Sequence, residues 1–169
     1  FAKEIFGLIE KLPEDLEARI AMLFTYLKSD EVSSLLNRFK CSNKVIGRTK
    51  LLHFLLHKTP DKYDLRIYRN QLGDEVNTHI SLMEAIGADI SDLVKSLDYP
   101  TDVSCLIDGS WLMSKTGLGP GIKLGRLKDW LFRIQIERGY TQISQIETAL
   151  CTISWTHGDP RDWPRPKWP

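Results

Sequence analysis

The residues of this 169-residue chain best suited to chemistry are cations, not nucleophiles or metal ligands. One group follows the turn Leu118-Gly119-Pro120-Gly121. Gly119 and Gly121 let a backbone approach a ligand closely. Pro120 suits the first turn of a helix, whose free N–H groups attract an anion such as a phosphate. At about 100° per residue, Lys123, Arg126, Trp130 and Arg133 then fall within roughly 80° of one another. Gly125 lies among them, and Leu124, Leu127, Leu131 and Ile134 occupy the adjacent apolar face. Such a helix gives one side to a core and a basic stripe to a polyanion. The plainer alternative is an ordinary helix start carrying snorkelling surface cations. A second group comprises Arg38, Lys40, Ser42, Asn43, Lys44 and Arg48. Here a basic loop enters a helix capped by Ser42 or Asn43, so side chains and backbone can hold phosphate oxygens together.

The charge distribution points the same way. A formal net charge of +1 conceals a basic block from Arg38 to Asn70, where Asp61 and Asp64 alone oppose nine Lys or Arg residues. A smaller basic block runs from Lys115 to Arg138, and the acidic segments before Arg38 and between Asn70 and Lys115 offset both. Basic blocks of this size fit a polyanionic partner.

Other chemistry finds little support. His53 and His57 are four apart, as helical metal ligands would be, but HFLLH lacks the glutamate of H-E-x-x-H and packing is the expected role. Asp89, Asp92 and Asp98 form no closely spaced acidic pair for magnesium. There is no phosphate loop ending in Lys-Ser or Lys-Thr and no serine in a nucleophile elbow. Cys41, Cys105 and Cys151 are scattered, which suits idle thiols in a reducing compartment and no zinc site. No apolar run reaches the roughly 18 residues that would span a bilayer, so no membrane is expected. No signal peptide is expected either, because Lys3, Glu4, Glu10 and Lys11 punctuate the opening stretch. A start at Phe1, within a helical pattern, reads as the trailing part of a longer polypeptide.

The elements that must carry these groups are helical. Apolar residues recur at three and four, and period-two alternation never persists. The pattern predicts a helix end over 1–11, then helices opening at Pro13-Glu14-Asp15 and at Ser29-Asp30-Glu31. Leu16, Ile20, Leu23 and Leu27 should face the core from the first of these, and Val32, Leu35, Leu36 and Phe39 from the second. Further helices are expected over 43–58, 61–72, 74–86, 91–97, 109–115, 120–138 and 141–155. Gly73 and Gly87 suit C-terminal caps. The fold class is therefore all-α: a multi-helix body over 1–99, then a smaller helical tail subdomain over 100–157, with Tyr99-Pro100-Thr101 as the boundary. Four prolines in the last twelve residues predict an extended C-terminal segment over 158–169. Its Trp163, Arg165, Lys167 and Trp168 could stack on bases or dock on the protein.

Two stretches resemble the class II tRNA nucleotidyltransferase family, which includes CCA-adding enzymes and poly(A) polymerases. RFKCSNKVIGRTKLL resembles the family's body segment, where a basic turn enters a helix. DGSWLMSKTGLGPGIKLGRLKDWLFRIQIERG resembles its tail pattern of spaced glycine, proline and leucine. The resemblance covers most of residues 14–150. Trp111 and the Trp/Pro-rich end depart from the pattern. The resemblance implies that this chain is the tRNA-binding C-terminal half of a CCA-adding or A-adding enzyme, gripping the acceptor arm and elbow through phosphates. Ser42, Asn43 and Lys44 would belong to the body contact, and Gly119, Gly121, Lys123, Gly125 and Arg126 to the tail contact. Partners would be tRNA and an N-terminal catalytic head, in cis or as a separate chain. The paired aspartates and templating motif of that head do not occur here, so Mg2+, CTP and ATP would belong to the head and this chain alone would not catalyse nucleotide addition. The implied compartment is the cytoplasm or an organellar matrix. Alternatives are a stand-alone RNA-binding or ribonucleoprotein subunit derived from the family, and a helix-hairpin-helix DNA-binding module built on LGPGIKLGRL.

Overall fold

The computed structural model describes residues 2–169, so the expectation for Phe1 lies outside the described residues. The described residues form ten α-helices and one 3-10 turn, with no strand. The helices are α1 (Ala2–Ile9), α2 (Leu16–Leu23), α3 (Ser29–Arg38), α4 (Asn43–Leu55), α5 (Leu65–Leu72), α6 (Glu75–Ala85), α7 (Ser91–Ser96), α8 (Gly109–Thr116), α9 (Ile122–Arg138) and α10 (Ile143–Thr152). The 3-10 turn spans Pro160–Asp162. The chain is all-α, as the periodicity predicts.

Helix ends follow local chemistry. Asp15 caps α2 by accepting from the Ala18 N–H, Ser42 caps α4 through Val45, and Asp108 caps α8 through Trp111. Gly117 and Gly139 end α8 and α9 in the left-handed conformation that glycine adopts without a Cβ penalty. Pro120 does not occupy the first turn of α9, because Gly121 is its N-cap and the proline stands one residue earlier.

Two compact units emerge, and the chain crosses between them more than once. Among the described residues the first comprises 2–61 and 74–97, the second 62–73 and 98–169. In the first unit α2 packs on α1, α4 and α6, and α3 packs on α4. Ala18, Ala21 and Met22 of α2 are fully buried with Val32, Leu52, Leu55, Val76 and Leu82. The face expected for α2 is not the buried one: Leu16 is 63% exposed and Leu23 is also exposed, because Ala18, Ala21 and Met22 allow the closer approach. Phe39, expected in the core, is 68% exposed. It sits at the C-cap of α3, where the chain turns away from that helix.

In the second unit α9 is the hub, packed against α5, α8, α10 and the 3-10 turn. Leu112, Leu124, Leu127, Leu131 and Ile146 fill its core. The expected boundary at 99–101 falls where the chain re-enters this unit at Asp98, but 62–73 also clusters here and not with the rest of 1–99. The reason is pairing over long sequence separations. Asp64 binds Arg133 at 2.7 Å, and the Gln71 amide both donates to the Trp168 carbonyl (2.7 Å) and accepts from its N–H (2.6 Å). The last residues are therefore not a free extension. Trp163 and Trp168 are 7% and 3% exposed, Trp163 against Trp130 at 5.5 Å and Trp168 edge-on to Tyr68 at 5.0 Å.

Candidate nucleic-acid interface

The two basic groups meet different fates. In the first unit the loop between α3 and α4 presents Arg38, Phe39, Lys40, Ser42, Asn43 and Lys44 to solvent. Its conformation is a helix stop followed at once by a helix start. The Lys40 N–H bonds the Asn37 carbonyl (2.9 Å) and the Cys41 N–H bonds the Leu36 carbonyl (3.0 Å), the paired bonds of a Schellman stop. That stop places Lys40 at φ 56°, a position usually taken by glycine and unfavourable by about 1–2 kcal/mol for an L side chain. Ser42 then accepts from Val45, leaving the remaining first-turn N–H groups of the 13-residue α4 facing solvent. Arg38, Lys40 and Lys44 make no ion pair among the described residues. An exposed ring, three cations without ion pairs and the Ser42-capped start of α4 thus lie together.

Arg48, one turn further along α4, is not available to a ligand. Its guanidinium binds Asp15 (2.6 Å), Glu17 (3.2 Å) and Glu75 (2.7 Å). Bonding to Arg48 holds the Asp15 carboxyl below its usual range, and the carboxylates of Asp15 and Glu75 push the Arg48 pKa up. This arginine locks α2, α4 and α6 together.

The expected stripe on α9 is also largely consumed. Arg126 is 8% exposed and donates to the carbonyls of Pro160 (3.0 Å), Arg161 (3.2 Å) and Trp163 (2.5 Å), with Asp129 at 3.3 Å. Arg133 binds Asp64 and Glu137 and donates to the carbonyls of Arg165 (3.1 Å) and Lys167 (3.4 Å). Trp130 is half-buried against Trp163. These three residues hold the C-terminal segment on the second unit. What remains exposed is the turn itself, Gly119, Pro120, Gly121 and Gly125. Lys123 lies beside it, its ammonium 5.7 Å from the Trp155 ring centroid. A Cβ at Gly119 or Gly125 would meet nothing within 4 Å, so neither glycine is there to avoid a protein contact.

The remaining polar groups serve the fold. His53 and His57 contact the Phe24 and Thr25 carbonyls at 3.1 and 3.0 Å, satisfying the end of α2. Burial lowers the His53 pKa. Asp89 accepts from the Ser91 N–H and Asp92 pairs with Lys95. No group of three or more His, Cys, Asp or Glu residues is placed to hold a metal ion among the described residues. No helix among them is long and apolar enough to cross a membrane. The half-buried Arg66, which the charge count included without singling out, is stacked 4.3 Å over the Tyr99 ring.

Comparison with protein-family models, curated proteins and solved structures finds no match for this chain.

Proposed function

We propose that this chain binds tRNA through phosphate contacts, as the body and tail of a class II tRNA nucleotidyltransferase whose N-terminal catalytic head, in cis or as a separate chain, adds nucleotides to the 3′ end. The observation that carries the reading is the α3–α4 loop, where Arg38, Lys40 and Lys44 stand exposed without carboxylate partners around the N-terminus of α4. Lys40, at the left-handed position of the α3 stop, keeps its side chain exposed beside Arg38 and Lys44. Helix N–H groups and flexible cations together suit phosphate oxygens, which position a nucleic acid without reading its sequence. The exposed Gly119-Pro120-Gly121 turn and Lys123 offer a second, smaller phosphate contact on the other unit.

The α8–turn–α9 hairpin supports a second reading, in which the same glycines bind duplex DNA. Its five-residue loop, 117–121, carries exposed glycines at the start of a 17-residue helix. Fluorescence anisotropy of the full chain with labelled tRNA, competed by unlabelled tRNA or by duplex DNA of equal charge, separates the readings. The tRNA reading expects tRNA to displace the probe at lower concentration. Preferential displacement by DNA, or no binding at low salt, overturns it.

A further inference from the structure

We propose that the second unit carries a site for one unpaired pyrimidine nucleotide, built around Arg66 and Tyr99. Two adjoining hollows share these two residues. The inner one, about 130 Å³, is walled by Tyr99, Pro100, Val103, Ile136 and Tyr140 and is mostly apolar. The outer one is more open and polar, and Lys62, Tyr63 and Glu137 line it. Arg66 stands between them with its guanidinium against the Tyr99 ring at 4.3 Å. On the other side it lies so close to the end of α9 that a Cβ at Gly139 would come within 2.8 Å of its Nη1. Gly139 therefore makes room for a flat guanidinium as well as ending the helix at φ 63°.

The chemistry of this arrangement is specific. The other shielded arginines of α4 and α9, the half-buried Arg48 and Arg133 and the buried Arg126, are bonded to carboxylates or carbonyls, whereas among the described residues no hydrogen bond or ion pair satisfies Arg66. The neighbouring Glu137 is already bonded to Arg133 at 2.6 Å. A planar fork of donors, fixed between a ring and a backbone and left without acceptors, suits a planar ligand bearing ring nitrogens and carbonyl oxygens. Size narrows the choice. The inner hollow is slightly smaller than the roughly 150 Å³ cavity that holds one benzene but opens into the outer one, so a six-membered ring enters it edge-first, whereas a purine's fused rings protrude further. Lys62, whose ammonium lies 4.9 Å from the Tyr63 ring centroid, is placed in the outer hollow to meet the attached phosphate. The pyrimidine would stack on an aromatic wall, with its O2 and N3 edge toward Arg66.

This site goes beyond the phosphate grip of the α3–α4 loop and shares no residue with it, so the two fail separately. The test is equilibrium dialysis of the full chain against CMP, UMP, AMP and GMP, and against a short single-stranded oligocytidylate. Arg66→Met removes the donors, Val103→Phe fills the inner hollow, and a thermal melt checks that each variant folds. The expected result is CMP or UMP binding at least fivefold tighter than AMP or GMP, weakened tenfold or more in both folded variants. Oligocytidylate binding that both variants abolish, without mononucleotide binding, also upholds the site and assigns it to RNA chains and not to free nucleotides. Purines bound as tightly as pyrimidines, affinity unchanged in either folded variant, or no binding of any probe would overturn it.

Discussion

Replacing Arg126 by methionine should release the C-terminal segment from the second unit. Methionine keeps an apolar stem in the space beside α9 but removes every donor. Three carbonyls, those of Pro160, Arg161 and Trp163, lose their partner. Each bond to a charged donor contributes about 1.5–3 kcal/mol, and the bonds are not additive. Pro160 and Arg161 lie near solvent, so water can replace the guanidinium there, whereas the Trp163 carbonyl is bonded in a buried setting. The Asp129 contact adds little, since that carboxylate is nearly half exposed. The expected loss is therefore roughly 3–5 kcal/mol, comparable to what burying one tryptophan contributes. Because the two quantities are similar, the variant should shed Trp163 from the core before the helices unfold. All five tryptophans (Trp111, Trp130, Trp155, Trp163 and Trp168) belong to the second unit, so their fluorescence reports on that unit alone. In guanidinium titrations the variant should show red-shifted emission without denaturant and an earlier fluorescence transition. Lys123→Met, on the same helix but with no carbonyl to hold, should shift the transition by less than about 0.5 kcal/mol. If the Arg126 variant matched the Lys123 variant, the clamp would not be what docks the segment.

Other consequences follow from single groups. Lys40→Gly relieves the left-handed strain and should stabilise the first unit by roughly 1 kcal/mol in urea titrations while weakening tRNA binding; a destabilised variant would contradict the Schellman geometry. His79 is fully buried, and desolvation lowers its pKa to about 4, partly offset by its hydrogen bond with the Leu55 carbonyl. Its folded pKa is thus below the unfolded value of about 6.5, so the neutral ring favours the fold above that pH. As pH falls from about 6.5 towards 4, the unfolded chain takes up a proton that the folded chain refuses, and about 3 kcal/mol of stability is lost. His79→Gln should flatten that slope, and His53, also lowered by burial, should supply a smaller part of it. Arg48→Met leaves Asp15, Glu17 and Glu75 facing one another and should cost about 1–2 kcal/mol after allowing for solvent screening. The Asp15 carboxyl should then titrate closer to its ordinary value by NMR.

The helices themselves were legible because their signals are local. Ser42 caps α4 where the sequence suggests, Asp15 caps α2 within the expected Pro13-Glu14-Asp15 opening, and glycine or proline punctuates most ends. Which cations remain free was not legible, because that depends on partners far along the chain. Arg48 meets Asp15 33 residues away, Arg126 meets Trp163 37 away, and Arg133 meets Asp64 69 away. Helical periodicity correctly groups Arg126, Trp130 and Arg133 on one face, but it cannot say whether that face meets solvent or another segment. The C-terminal segment covers it, using carbonyls that no charge count registers. The helix over 61–72 was legible, but its assignment to the second unit was not, because that rests on Asp64–Arg133 and on Gln71–Trp168, 97 residues apart. Arg66 was not legible as a site residue, because its place between the Tyr99 ring and Gly139 depends on packing between segments far apart in the chain.

The central claim is that Arg38, Lys40 and Lys44 hold phosphates of a tRNA. The most direct test is the salt dependence of tRNA affinity for the full chain, compared with a variant in which all three are glutamine. Each neutralised phosphate contributes about 0.7–0.9 to the slope of log affinity against log salt. The variant should therefore bind more weakly at every salt concentration, with a slope shallower by about 2–3. Superimposable affinities and slopes would contradict the claim.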